Sequence, residues 1–298
     1  MKTSAVIRIV IWSLVAVILT GMLVAGIALK GANGGLGDFS IGISGNTYAD
    51  AGSYTIGGGS ISERISSAEV NWVSGKIDVS VYDGETVEIS ETAVNDEDYK
   101  LRYKVENGKL TVHSEKSGFS FGFVSRPKKE LTIKIPRAFA EDFSELKINS
   151  VSAEINISGL TVSQTVEIDT VSGKVTAEDL TAASVECDTV SGGIKASGAI
   201  ESFDLDSTSG SAEITTSVPL KKLETDTVSG DVTVIIPENS GFELEFDTVS
   251  GDIDCDFPLS KKNGKHIYAD GSAKFEADST SGDFTIKMLE TKANTADF

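Results

Sequence analysis

The chain has 298 residues, 40% of them hydrophobic, which is enough apolar side chain to build a buried core and excludes wholesale disorder. Its net charge of -19 is concentrated: residues 1–150 carry 16 Lys+Arg against 18 Asp+Glu, while residues 151–298 carry 10 against 27 and no arginine. A surface this acidic repels nucleic acid and anionic lipid headgroups, so charged partners are expected to be cations or basic peptides.

Residues 9–29, "IVIWSLVAVILTGMLVAGIAL", hold no charge, and as a helix would span about 31 Å, the thickness of a bilayer core. Lys2 and Arg8 precede the stretch and Lys30 follows it, which orients the N-terminus toward the cytoplasm. Residues 1–30 therefore read as a membrane anchor helix. The competing reading is a signal peptide cleaved after residues 26–28, but this apolar run exceeds the ~7–15 residues usual for one. Either way, the rest of the chain is expected outside the cytoplasmic membrane.

Residues 31–60 form a glycine-rich linker, with ten of the chain's 29 glycines between positions 31 and 59. Residues 61–148 make an N-terminal β region. "KIDVSVYDGETVEISET" alternates around Asp83 and Gly84, "LRYKVENGKLTVHSE" predicts a hairpin at Asn107 and Gly108, and "ELTIKIP" is a strand stopped by Pro136. "GFSFGF", with Phe119, Phe121 and Phe123, reads as one buried strand face. His113 and His266 are isolated and read as ordinary β or loop residues. Cys187 and Cys255 fit no metal or redox spacing.

Residues 149–298 are repetitive. "DTVSG" occurs at 169–173, 188–192, 226–230 and 247–251, and "DSTSG" at 206–210 and 278–282. The serines step by 19, 18, 20, 21 and 31 residues, a period that signals a solenoid. Degenerate copies precede the array at 149–153 ("NSVSA") and 71–75 ("NWVSG"), and "KKNGKH" at 261–266 reads as a hairpin inserted into the final coil. Apolar residues alternate on both sides of each motif, as in Phe203/Leu205 before Ser209 and Ala212/Ile214 after it. Each coil is thus two short strands joined at a Ser–Gly corner, where glycine supplies the dihedrals and the Asp and Ser/Thr side chains are expected to bond unpaired amides. The predicted fold is an all-β parallel β-solenoid of about 20-residue coils, preceded by one N-terminal transmembrane helix.

Corners do not explain the acids. The outward residue of the first strand is acidic in every copy: Glu167, Glu186, Asp204, Glu224, Glu245 and Glu276. Two residues on stands the motif aspartate: Asp169, Asp188, Asp206, Asp226, Asp247 and Asp278. Stacked coils would make two columns of six carboxylates with neighbours roughly 4.8 Å apart, an arrangement that repels itself. The columns are either a solvated face or a weak site for a divalent cation such as Ca2+, and no other cofactor is implied. The same stacking puts Cys187 and Cys255 three coils apart, about 14 Å, too far for a disulfide.

Catalysis has little to stand on. There is no dinucleotide or phosphate loop, no HExxH and no nucleophile elbow, and glycosidases need a carboxylate pair in unlike environments where these ladders are uniform.

The glycine spacer, the β region ending in "LTIKIP" and the coils of "LKINSVSAEINISGL" and "VEIDTVSGKVTAEDL" resemble the bacterial "putative adhesin" domain-of-unknown-function family with β-strand repeats, which includes LiaG-like cell-envelope proteins. The likeness covers residues 61–289. It implies a parallel β-solenoid at the cell envelope and carries over no catalytic residues. The resulting expectation is a single-pass, membrane-anchored, extracytoplasmic β-solenoid. It would be a non-enzymatic binding or structural module of the envelope, meeting cationic peptides or envelope proteins and no nucleic acid. The competing readings are an accessory or sensor of envelope-stress signalling that binds cationic peptides, and a carbohydrate-active β-helix enzyme.

Overall fold

The structure, a computed structural model, describes Tyr48, residues 51–116 and residues 128–290. The anchor expectation at residues 9–29 and the aromatic run at 119–123 lie outside the described residues. Among the described residues no helix is long and apolar enough to cross a membrane.

The period-two pattern becomes parallel strands in one continuous sheet. Ser202–Ser209 turns a corner into Ala212–Thr216, Lys222–Ser229 into Val232–Ile236, and Ala273–Ser281 into Phe284–Met288. Register is kept residue for residue. Phe203 faces Leu223 and Leu223 faces Phe275, while Ser209 faces Ser229 and Ser229 faces Ser281. Inward residues of both arms are buried, and Leu160, Leu180, Ile200 and Leu220, twenty residues apart, are buried along the return of each coil. The degenerate copies belong to the same stack, since Asn71 pairs with Asn149 and Gly75 with Ala153. A single apolar core runs from Ile61 to Ile286, so packing shows no division near residue 148.

The glycine of the corner answers a steric demand between coils. A Cβ on Gly210 would stand 2.3 Å from the carbonyl oxygen of Gly192, and one on Gly230 2.3 Å from that of Gly210. Their φ angles are 140° and 149°, where a side chain is strained in any case. The expected side-chain bonds of the motif are largely absent. Ser150 Oγ accepts from Ala153 N, but the hydroxyls of Thr170, Thr189, Ser207 and Ser279 are buried without a hydrogen-bond partner. None of the six motif aspartates accepts from a corner amide. The acids just past the glycine do so instead: Asp283 N donates to Asp231 Oδ1 and Asp252 N to Asp283 Oδ1.

The stacking order corrects the expected one at the C-terminal end. Ala273–Ser281 pairs with Lys222–Ser229 on one side and with Gly241–Ser250 on the other, so the last coil in sequence lies between the two before it. The polar hairpin is present, with Asn263 and Gly264 both at positive φ, but Lys265–Ala269 lies antiparallel on Gly241–Ser250, outside the stack rather than within the final coil. Cys187 and Cys255 are both free, and four coil steps rather than three separate their layers.

The N-terminal end is also out of order. Ser67–Tyr82 lies between the coil of Lys109–His113 and Lys129–Pro136 and the strand Glu145–Ser158. The predicted hairpin forms between Arg102–Glu106 and Lys109–His113, with Asn107 at φ 53° and Gly108 at 75°. Val87–Glu91 pairs antiparallel with Lys129–Pro136 rather than with the strand it follows.

Sheet pairing begins before residue 61. Thr55–Ile56 pairs with Arg102–Glu106, and Gly59–Ile61 with Val87–Glu91. The triple glycine at 57–59 is therefore part of the fold and not of a linker: Gly57 N donates to Leu101 O at 2.8 Å, and a Cβ on Gly58 would meet Ile89 O at 2.4 Å.

Candidate functional site: the acidic face

Both acid columns exist, in parallel register. The outer one runs Glu69, Lys147, Glu167, Glu186, Asp204, Glu224, Glu276, Glu245, and the inner one Asn71, Asn149, Asp169, Asp188, Asp206, Asp226, Asp278, Asp247. Strand geometry puts them on one face, because positions two apart point to the same side of a sheet.

The columns differ in their counter-charges. Lys222 sits 2.7 Å from Glu224 and 3.5 Å from Asp204, and Lys265 lies 3.0 Å from Glu245. Lys147, a member of the outer column, pairs with Glu167 and reaches Asp169 at 3.5 Å. The inner column has no ion pair beyond Asp169 among the described residues. Along the column Asp188, Asp206, Asp226, Asp278 and Asp247 have only other acids as neighbours.

Their protonation follows. Asp188 and Asp278 are pushed up to about 7 and Asp226 to about 6, first by lost hydration between stacked side chains and then by the flanking carboxylates. Asp206 is raised for the same reasons. Asp188 is the most open to solvent of these, and the charges of Asp206 and Asp169 add to its lost hydration. Asp169 stays raised by its partial burial although Lys147 pulls it down. Since such neighbours titrate together, these values describe the column rather than single sites.

Among the described residues no three carboxylates, histidines or cysteines converge as a ligand set for one metal ion. All twelve acids expected on the face are there, but as a linear field rather than a cage. A field of this kind attracts mobile cations and basic side chains along its length. The lysines were the missed component. Lys147, Lys222 and Lys265 lie outside the repeated motif, and only the coil register brings them to it.

The second unforeseen group is a buried ion pair at the N-terminal end. Lys129 Nζ lies 2.7 Å from Glu91 Oε2, each side chain 7% exposed. The ammonium also donates to the carbonyls of Tyr99 and Ser114 and stands 4.6 Å from the centre of the Trp72 ring, while Glu91 Oε1 accepts from Leu101 N. Every polar atom is used, which makes this a clamp rather than a reactive site. His113 is likewise structural: it is buried, stacked 3.9 Å from Tyr48, and held down to about 4 by burial.

No curated protein matches the chain. Among solved structures it is similar to a "putative cell adhesion protein" from Clostridium sporogenes, at 12% identity over 79% of this chain and 100% of that one, with a TM-score of 0.38. It is similar also to a "putative adhesin" from Bacteroides fragilis, at 16% identity over 79% and 97%, with a TM-score of 0.45. A third is a "putative lipid binding protein" from Parabacteroides distasonis, at 13% over 80% and 98%, with a TM-score of 0.29. Likeness this loose decides nothing about function. The family match is firmer: residues 69–293, nearly all of the coil stack, fit one family model, and the chain belongs to the Toastrack DUF4097 family.

Proposed function

We propose that the protein is a non-enzymatic binding module that presents its acidic face to cationic partners outside the cytoplasmic membrane, held there by a helix within residues 1–30. The observation that carries this reading is the inner aspartate column, which runs without a counter-charge from Asp188 to Asp247. A fold that repeats a repulsive arrangement in every coil gains stability from whatever neutralises it, and binding to the native state is the way to obtain that gain. The uniformity of the column favours binding over catalysis, since hydrolysis by a carboxylate pair needs two unlike environments.

The test is thermal unfolding of the full chain in nonionic detergent. Millimolar Ca2+ or a decalysine peptide is expected to raise Tm more than Na+ does at equal ionic strength, and Asp188→Asn/Asp206→Asn/Asp226→Asn to abolish the difference. Equal effects of Ca2+, decalysine and Na+ in the unmutated protein would reduce the face to a solvated surface. Intact-mass measurement on the membrane fraction checks the anchor: a mature chain beginning near residue 29 would remove it.

A further inference from the structure

The two ends of the stack are finished differently. At the N-terminal end the outermost coil is covered twice over: Arg102–Glu106 and then Thr55–Ile56 lie on one arm, Val87–Glu91 and then Gly59–Ile61 on the other. At the C-terminal end the outermost coil is Gly241–Ser250 followed by Ile253–Cys255. Its first four residues are covered by Lys265–Ala269, backed by Phe257 packed edge-on against Phe242. From residue 245 to residue 255 no described strand pairs with the outer side.

The cross-section left there is apolar. Phe246, Ile253 and Cys255 are only partly buried, whereas their partners one coil inward, Ala277, Phe284 and Ile286, are at most 3% exposed. Val249, at 60%, is the most exposed large hydrophobic side chain among the described residues. The stretch "EFDTVSGDIDCD" at 245–256 holds five acids and no base, and of these Glu245 is already paired with Lys265 of the hairpin at 3.0 Å.

An open edge with apolar inward positions is a template for another strand, because its outward N–H and C=O groups need partners and its core residues need cover. The acids decide which strand. Two copies set edge to edge about a two-fold axis would bring Glu245 against Asp247, or Asp247 against itself, and like charges directly opposite repel. A strand alternating apolar residues with Lys or Arg instead continues the core through one set and meets Asp247 and Asp254 with the other.

The geometry points to the outer edge of residues 245–255 as a strand-addition site for an extended basic segment of a partner protein, which completes the last coil. The inference shares with the proposed function only the sign of the partner's charge. Its place and its binding mode, main-chain pairing at one end of the stack, are separate.

The test uses the full chain in nonionic detergent and an octapeptide alternating Lys and Val, unmodified or N-methylated at alternate residues so that charge is kept and one hydrogen-bonding edge is lost. The unmodified peptide is expected to bind and to slow amide exchange within 245–255. N-methylation and Asp247→Lys/Asp254→Lys are each expected to weaken binding at least tenfold, the double variant melting no lower than the parent. Equal binding of the two peptides overturns strand addition while leaving the acidic-face reading standing, and binding of neither overturns both. Slow exchange of 245–255 in the free monomer shows that the chain covers its own edge and overturns the proposal. So does a dimer that Asp247→Lys abolishes, since the occupant is then a second copy.

Discussion

The N-terminal half of this chain nearly balances its charges and its end of the stack is covered, whereas the C-terminal half stacks like charges and leaves an edge that no described strand covers. In the first region Glu69 takes hydrogen bonds from Lys109 and Asn71, which hold its carboxyl below the usual value although burial pushes it up. In the second, the inner-column aspartates sit above the usual value, first through lost hydration and then because their neighbours are acids too. The same backbone supports both, so coil geometry does not dictate the charge pattern. The contrast marks the first region as the one whose charges are paired and whose edges are covered, and the second as the one that carries unmatched acids.

The largest effect is expected from breaking the closed end. Lys129→Met strands the Glu91 carboxylate in a buried site, which should cost about 3–5 kcal/mol in urea unfolding. The double variant Lys129→Met/Glu91→Leu should recover much of it, since no charge is then buried. A single variant within about 0.5 kcal/mol of the parent would mean that the pair is not desolvated.

A smaller effect sharpens the electrostatic half of the contrast. Unfolded aspartates titrate near 3.9, and those of the inner column are raised to about 6–7 in the folded state. The folded protein therefore holds protons that the unfolded chain has released. The resulting stability is fully present below about pH 4 and is lost as pH rises through about 6–7. Allowing for solvent screening of these partly exposed groups, melting at pH 5 should exceed that at pH 8 by the equivalent of about 1–2 kcal/mol. Glu69 works in the opposite direction, losing its contribution only as pH falls through its lowered value. Asp206→Asn, which removes the charge between Asp188 and Asp226, should raise stability at pH 8 and flatten the profile. A parent protein more stable at pH 8 than at pH 5 would show that the column is not repulsive.

The smallest effect reports the open end directly. Cys187 is buried mid-stack and its thiol is driven far up by burial, while Cys255 is half-exposed on the terminal coil and raised less. At pH 8 a maleimide should modify Cys255 at least about tenfold faster than Cys187. Equal rates would mean that the last coil is covered or that the middle of the stack opens.

Much of this was legible beforehand because the signals were local. Asn107 with Gly108, and the Ser–Gly step repeated with alternating residues on both sides, each specify a shape within a few positions. Stacking order was not legible, for a physical reason: "DTVSG" strands are near-identical, so each fits beside any other in the same register, and sequence offers no preference between Ala273–Ser281 and Gly241–Ser250 as neighbours of Lys222–Ser229. Gly57, Gly58 and Gly59 resembled a spacer because close backbone approach and flexibility select the same residue. Glu91 and Lys129 are 38 positions apart and meet only when the coil closes, and nothing in their surroundings announces a buried charge.

The inverted order of the last two coils carries a consequence for how the chain reaches its native state. As the polypeptide emerges from its N-terminus, Gly241–Ser250 is available before Ala273–Ser281, and the free ladder of Lys222–Ser229 accepts either one. An early docking of the first must be undone to admit the second, by an exchange of strands that have the same motif and the same register. Completion of this end is therefore expected to wait for residues 273–281, and truncation before residue 273 is expected to let Gly241–Ser250 dock directly on Lys222–Ser229.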